Sequence, residues 1–183
     1  MKHNKCEYPI KVFLSSSMCD EIFLERRKAI ISFFERWNIY DLDYCEKHAR
    51  PRGIKTTYIE GVRACDLMIL IIEKTRREGI VEEFKEAKDK GKRVFAYILG
   101  PENNKPDELK SFIKEVRDYG TTTKTFNDTK ELINCIEDDL LEDLLDIYKR
   151  FPDYEKNYKE ELKKYKEKPD EEAERTYKEK NNY

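Results

Sequence analysis

Apolar residues along this chain fall into short separated runs, divided by longer stretches where they recur at helical intervals. Residues 10–16 (IKVFLSS) form an apolar, β-branched run that predicts a buried first strand. Ser17 to Asp20 has the spacing of a helix-capping box, and residues 22–37 carry the apolar rhythm of a first helix. Residues 39–45 (IYDLDYC) alternate as a second strand, and Arg50-Pro51-Arg52-Gly53 is turn material. Residues 56–65 predict a second helix with Tyr58, Ile59 and Val62 on one side. DLMILII, residues 66–72, is the most hydrophobic run and predicts a central strand covered on both faces. A third helix over 78–90 ends at Gly91. A fourth strand over 93–99 (RVFAYIL) is closed by Gly100-Pro101, and a fourth helix spans 106–119 before Gly120. A weaker fifth strand covers 121–126, and a fifth helix runs from about 128 to 149.

Strands thus alternate with helices, and the connections are too short for hairpins between like-directed strands. That rhythm predicts an α/β fold: an open parallel five-stranded sheet with helices on both faces. Right-handed crossovers make the flavodoxin-like (Rossmann-like) strand order 2-1-3-4-5 the leading topology. From Phe151 onward aliphatic residues nearly vanish, while Tyr154, Tyr158, Leu162 and Tyr165 recur at spacings of four, four and three. The expected organisation is one α/β domain over residues 8–150 and a Lys/Glu/Tyr-rich helical tail over 151–183, fraying after Pro169. The tyrosine stripe is expected to dock on its own domain or on a second copy of the chain.

Composition narrows the function classes. At 183 residues, 38% hydrophobic and 42% charged, the core must come from those few concentrated segments. No apolar run approaches the roughly 20 residues that cross a bilayer, and the N-terminus lacks a signal-like stretch, so a soluble cytoplasmic protein without membrane partners is expected. Five cysteines form no CxxC pair and no metal-like spacing with the two histidines, which argues for free thiols and no metal site. A net charge of −2 with both signs interleaved gives no electrostatic case for nucleic-acid binding. Glutamine is absent while Lys and Glu abound, the bias of hyperthermophile proteins.

In an open parallel sheet, ligands bind outside the carboxyl ends of the strands where the order reverses, here between the first and third strands. Bordering that point are Ser15, Ser16 and Ser17 and the loop from Glu73 to Gly79. The start of the third helix adds backbone N–H groups and a positive dipole end suited to phosphate or carboxylate. No GxGxxG or GxxxxGK[ST] loop is present, which argues against dinucleotide dehydrogenases and P-loop NTPases, and no cofactor is expected. The end of the third strand holds Ile72-Glu73 where a receiver domain would need an aspartate, and two poorly placed histidines exclude a Ser-His-Asp set. On the third helix Ile80, Val81, Phe84 and Ala87 define the buried stripe. Glu82 then falls opposite that stripe, on the solvent side, whereas Glu83 sits at its edge, where a carboxylate can lean over the sheet's end.

These residues resemble a known group. KVFLSS, then Asp20 and Glu25-Arg26, Glu46, Ala64-Cys65-Asp66 before an aliphatic strand, and Glu83-Phe84-Lys85-Glu86-Ala87 followed by Gly91-Lys92 resemble the nucleoside 2-deoxyribosyltransferase-like superfamily. Within it, the similarity is to domains attached to bacterial and archaeal signalling or defence NTPases, and TIR-type NAD-cleaving domains share the general architecture. The similarity covers about residues 10–99. It implies that Glu83, four residues before the alanine, is the catalytic carboxylate that stabilises or traps an oxocarbenium-like centre. It further implies substrate contacts from Asp20, Arg26 and Glu46, a nucleoside, nucleotide or NAD-like substrate, and a homodimer, beside the candidate contacts Ser15, Ser16, Glu73, Arg76, Arg77 and Gly79 that border the switch point. The chain departs from the active enzymes of this group, which carry an Asp/Gly-rich segment before the catalytic helix. Here that segment reads Glu73-Lys74-Thr75-Arg76-Arg77-Glu78-Gly79. Its basic residues suit a phosphate, hence a nucleotide, or accompany a loss of catalysis. Two readings follow: an N-glycosidase or deoxyribosyltransferase, or a non-catalytic nucleotide-sensing or protein-interaction module.

Overall fold

The computed structural model describes residues 6–17, 21–47 and 53–167, with positions 46, 54, 153–155, 157, 158 and 161–167 described by backbone only. Five strands appear: β1 (Ile10–Ser15), β2 (Tyr40–Asp43), β3 (Leu67–Ile72), β4 (Arg93–Leu99) and β5 (Thr123–Phe126). They are separated and followed by α1 (Glu21–Glu35), α2 (Ile54–Ala64), α3 (Glu78–Asp89), α4 (Asp107–Asp118) and α5 (Thr129–Glu167). Every pairing is parallel and the order is β2-β1-β3-β4-β5, as the alternation predicts. All six residues of β3 are buried, which is why this segment reads as a continuous apolar run without alternation.

The side-chain period of two divides the sheet into two faces. Phe13 of β1, Met68, Leu70 and Ile72 of β3, and Ala96 and Ile98 of β4 pack with Val62 of α2, with Val81, Phe84 and Ala87 of α3, and with Leu109, Phe112, Ile113 and Val116 of α4. α1 lies on the opposite face, burying Phe23, Ile30, Phe33 and Phe34, and Tyr97 on that face donates a 2.9 Å hydrogen bond to Asp139 of α5. Gly61 lets α2 approach β1 closely: a Cβ there would lie 2.6 Å from Phe13 Cε2.

Separate devices fix β3 beside its two neighbours, β1 and β4. The Asp66 carboxylate accepts a 2.8 Å hydrogen bond from the Lys11 backbone N–H, and the Asp66 N–H returns one of 2.8 Å to the Lys11 carbonyl. At the other end, Lys105 is buried and its ammonium donates to the carbonyls of Glu73 (2.8 Å) and Leu99 (2.6 Å), just past β3 and at the end of β4. α3 and α4 each end in a glycine of positive φ, Gly91 (61°) and Gly120 (89°), the left-handed stop that L side chains rarely adopt.

The chain divides into two compact units between Asp139 and Leu140. In the second unit, the described part of α5 exposes Leu141, Leu145, Ile147, Tyr148 and Phe151. The sequence predicts a fifth helix ending near 149 and a separate tail helix after Pro152; instead α5 is one helix containing Pro152. A proline removes one intrahelical hydrogen bond, and the Leu-, Lys- and Glu-rich segments on either side continue the helix regardless. The stripe residues Tyr154, Tyr158, Leu162 and Tyr165 have side chains outside the described set. No described helix is long and apolar enough to cross a membrane.

Candidate active site

β1 ends at Ser15, and Ser15 and the following Ser16 turn to different partners. Ser15, 1% exposed, points to the α3 side, where its hydroxyl donates a hydrogen bond to Glu83 Oε2. Ser16 points to the α1 side, where it accepts a 2.5 Å hydrogen bond from the Arg27 guanidinium. Glu83 is itself only 8% exposed. It reaches this position because it sits one turn inside α3 at the edge of the stripe formed by Ile80, Val81, Phe84 and Ala87. A buried carboxylate must keep a hydrogen-bond donor, and Ser15 supplies one from the neighbouring strand.

Around this pair opens a cleft of about 220 Å³, lined by Leu14, Ser16, Ser17, Arg27, Cys45, Tyr58, Arg77, Gly79, Ile80 and Glu83. It lies at the carboxyl end of β1, beside β3, where the strand order reverses. Arg27 is buried, with its guanidinium 5.5 Å from the Tyr44 ring centroid, so its charge is held in place by Ser16 and by an aromatic face. Tyr58 comes from α2. Its hydroxyl donates to Glu82, which also accepts from Lys55. Burial first, and then the Glu82 carboxylate, push the Tyr58 hydroxyl well above its ordinary pKa. The donors Lys55 and Tyr58 hold the Glu82 carboxyl below the usual range. Glu82 is therefore a member of an α2–α3 contact, a quarter exposed, because the neighbouring helix covers part of the side that a single helical wheel leaves to water.

The residues singled out from sequence separate into four groups. Ser16, Arg77, Gly79 and Glu83 line the cleft, with Ser15 bonded to Glu83 beneath it. Arg26 and Glu73 form a 2.9 Å ion pair, 12% and 4% exposed, that ties α1 to the end of β3, with Arg26 also over the Phe126 ring. Arg76 lies in the loop before α3, paired at 3.2 Å with Glu78. Glu46 belongs to a short 3-10 turn (Cys45–Lys47) but its side chain is outside the described set, as is Asp20 altogether. Arg27, Tyr58 and Cys45 line the cleft and are not picked out by sequence reasoning. Arg27 adjoins Arg26 in a run of charges that a helix surface normally explains, and Tyr58 reads as part of the buried face of α2. Among the described residues no group of three or more His, Cys, Asp or Glu is arranged to hold a metal ion.

Chemically, the cleft brings one buried, serine-bound carboxylate together with two guanidinium-bearing residues, a helix N-terminus and an aromatic ring. A family model described as a domain of unknown function, DUF4062, matches residues 11–141. No curated protein sequence matches the chain. Among solved structures, the chain is similar to the CMP N-glycosidase BcmB of Clostridium botulinum, at 20% identity and a TM-score of 0.56, over 69% of this chain and 97% of that one. It is also similar to the TIR domains of the Roq1 resistosome that recognises the pathogen effector XopQ, at 11% identity and a TM-score of 0.54, over 72% of this chain and 99% of that one. At such identities the likeness is one of fold.

Proposed function

Starting from the chain's membership of the DUF4062 family, we propose that it cleaves or exchanges the bond between a ribosyl carbon and a nucleobase, with Glu83 as the catalytic carboxylate. The observation that carries this reading is the buried Glu83 carboxylate, held by Ser15 at the wall of a cleft of nucleoside dimensions. As the C1′–N bond breaks, its electron pair leaves with the base, which takes up a proton from solvent, and positive charge spreads over C1′ and the ring oxygen. A carboxylate fixed beside C1′ opposes that charge or bonds to it until water or an acceptor base arrives. Ser15 orients Glu83 in a chain whose preceding loop lacks the Asp/Gly-rich segment of the enzymes it resembles. Arg27 and Arg77, together with the α3 N-terminus, favour a substrate bearing phosphate. Structural likeness to a CMP N-glycosidase supports this class.

The test is base release, followed chromatographically over a panel of purine and pyrimidine nucleosides, their 5′-monophosphates and NAD. Glu83→Gln preserves shape and removes the charge, so turnover should fall by about 100-fold or more while the fold and ligand binding persist. Glu108→Gln, on an exposed turn of α4, serves as the control. Equal activity in both variants refutes the role of Glu83. Binding of a panel member by the wild type without any base release favours a non-catalytic nucleotide-sensing module.

A further inference from the structure

The lining of the cleft is chemically mixed. Ser16, Ser17, Arg27 and Arg77 supply hydroxyl and guanidinium groups, whereas α2 contributes only the Tyr58 ring. The Tyr58 hydroxyl is already committed to Glu82, and Glu82 is held a second time by Lys55. The ring is therefore anchored at its far end and packed at its base against the core of α2, α3 and α4. An aromatic side chain fixed in this way loses little conformational freedom when a flat ligand stacks on it. Its proton is engaged by Glu82, which leaves the ring face as the part available to a ligand.

The geometry points to Tyr58 as the platform on which the nucleobase stacks, setting specificity for a planar ring and orienting it as a leaving group over Glu83. This rests on the proposed reading of the cleft and adds to it the residue that reads the base. The hydroxyl and guanidinium groups then take the sugar and its phosphate, and Lys55 and Glu82 act as positioning residues through Tyr58. Glu82 stands one residue before Glu83, so the same turn of α3 would hold the base platform and carry the reactive carboxylate.

The experiment measures calorimetric binding in the Glu83→Gln background, where no turnover consumes the probe. The probes are CMP, AMP and NAD, with ribose 5-phosphate as the probe that lacks a base. Stacking of a base on one aromatic side chain corresponds to roughly 10- to 100-fold in affinity. Tyr58→Ala should weaken the best-bound nucleotide by that factor and leave ribose 5-phosphate within about threefold. Tyr58→Phe keeps the ring and should restore most of the binding lost in Tyr58→Ala. Equal weakening of nucleotide and ribose 5-phosphate means that Tyr58 only supports the shape of the cleft, and overturns the assignment. Unchanged nucleotide binding in Tyr58→Ala also overturns it, as does failure of every probe to bind. If the base-dependent loss is seen but the wild type never releases a base, the platform stands and the enzymatic reading fails.

Discussion

Gly61→Ala tests the packing that brings α2 over β1. On an exposed helix this change stabilises by about 1 kcal/mol, because alanine is the better helix former. Here the added carbon would lie 2.6 Å from Phe13 Cε2 and 2.9 Å from Cδ2. Carbon atoms in contact prefer about 3.5–4.0 Å, so α2 or Phe13 must retreat by roughly 1 Å. Phe13 is 1% exposed in the core, and overpacking of this kind costs about 1–3 kcal/mol. The two effects oppose each other, and at a 2.6 Å approach the overlap outweighs the propensity, leaving a net loss of up to about 2 kcal/mol. For a chain of this size that lowers Tm by up to roughly 8 °C, measured by circular dichroism at 222 nm. The double variant Phe13→Leu/Gly61→Ala should recover part of the loss, giving a coupling of about 1 kcal/mol in a double-mutant cycle. Tyr58 stands three residues before Gly61 on the same helix, so nucleotide affinity should fall as well. A rise in Tm for Gly61→Ala, or strictly additive behaviour with Phe13→Leu, would refute this account of how α2 is seated.

Ser15→Ala removes the hydroxyl that donates to Glu83, and loss of one hydrogen bond to a buried charged group costs about 1–3 kcal/mol. Chemical denaturation should show that loss, and base release should fall even at temperatures where the variant is fully folded. Tyr40, 7% exposed, has its hydroxyl pushed up to about 12, chiefly by burial. The folded state thus favours the neutral phenol, so this contribution is present in full below about pH 10 and is lost as pH rises from 10 to 12, up to about 3 kcal/mol. Tyr40→Phe should flatten that alkaline loss in denaturant titrations and cost little at pH 7, since this hydroxyl has no hydrogen-bond partner among the described residues; an identical alkaline slope in both proteins counts against it.

The architecture was legible because its determinants are local. A run such as LMILII needs cover on both faces, and Gly91 and Gly120 stop helices by backbone conformation alone. Glu83 was legible in part: its place at the edge of a helical stripe shows in the sequence, but the Ser15 bond joins residues 68 positions apart. Glu82 reads as a solvent-side residue because a helical wheel describes one helix and is silent about the neighbour, α2, whose Lys55 and Tyr58 bond to it. Arg26 and Arg27 are adjacent and equally charged, yet a 100° turn gives one to Glu73 and the other to Ser16. Pro152 reads as a boundary on propensity alone and lies inside α5.

The paired hydrogen bonds between Lys11 and Asp66 have a consequence for parity. They fix the pairing of β1 with β3, in which Ser15 stands opposite Leu70. Successive residues of a strand face opposite ways, so a slip by one position would exchange the odd and even side chains of β1. Ser16 would turn toward Glu83, Ser15 toward Arg27, and Phe13 would leave the face that Gly61 makes room for. Which serine faces the carboxylate thus depends on an odd-even count begun at the far end of the strand, some four residues from the cleft. An insertion of one residue between Lys11 and Phe13 would therefore turn Ser15 away from Glu83 and Phe13 away from Gly61 while leaving every one of those side chains in the sequence.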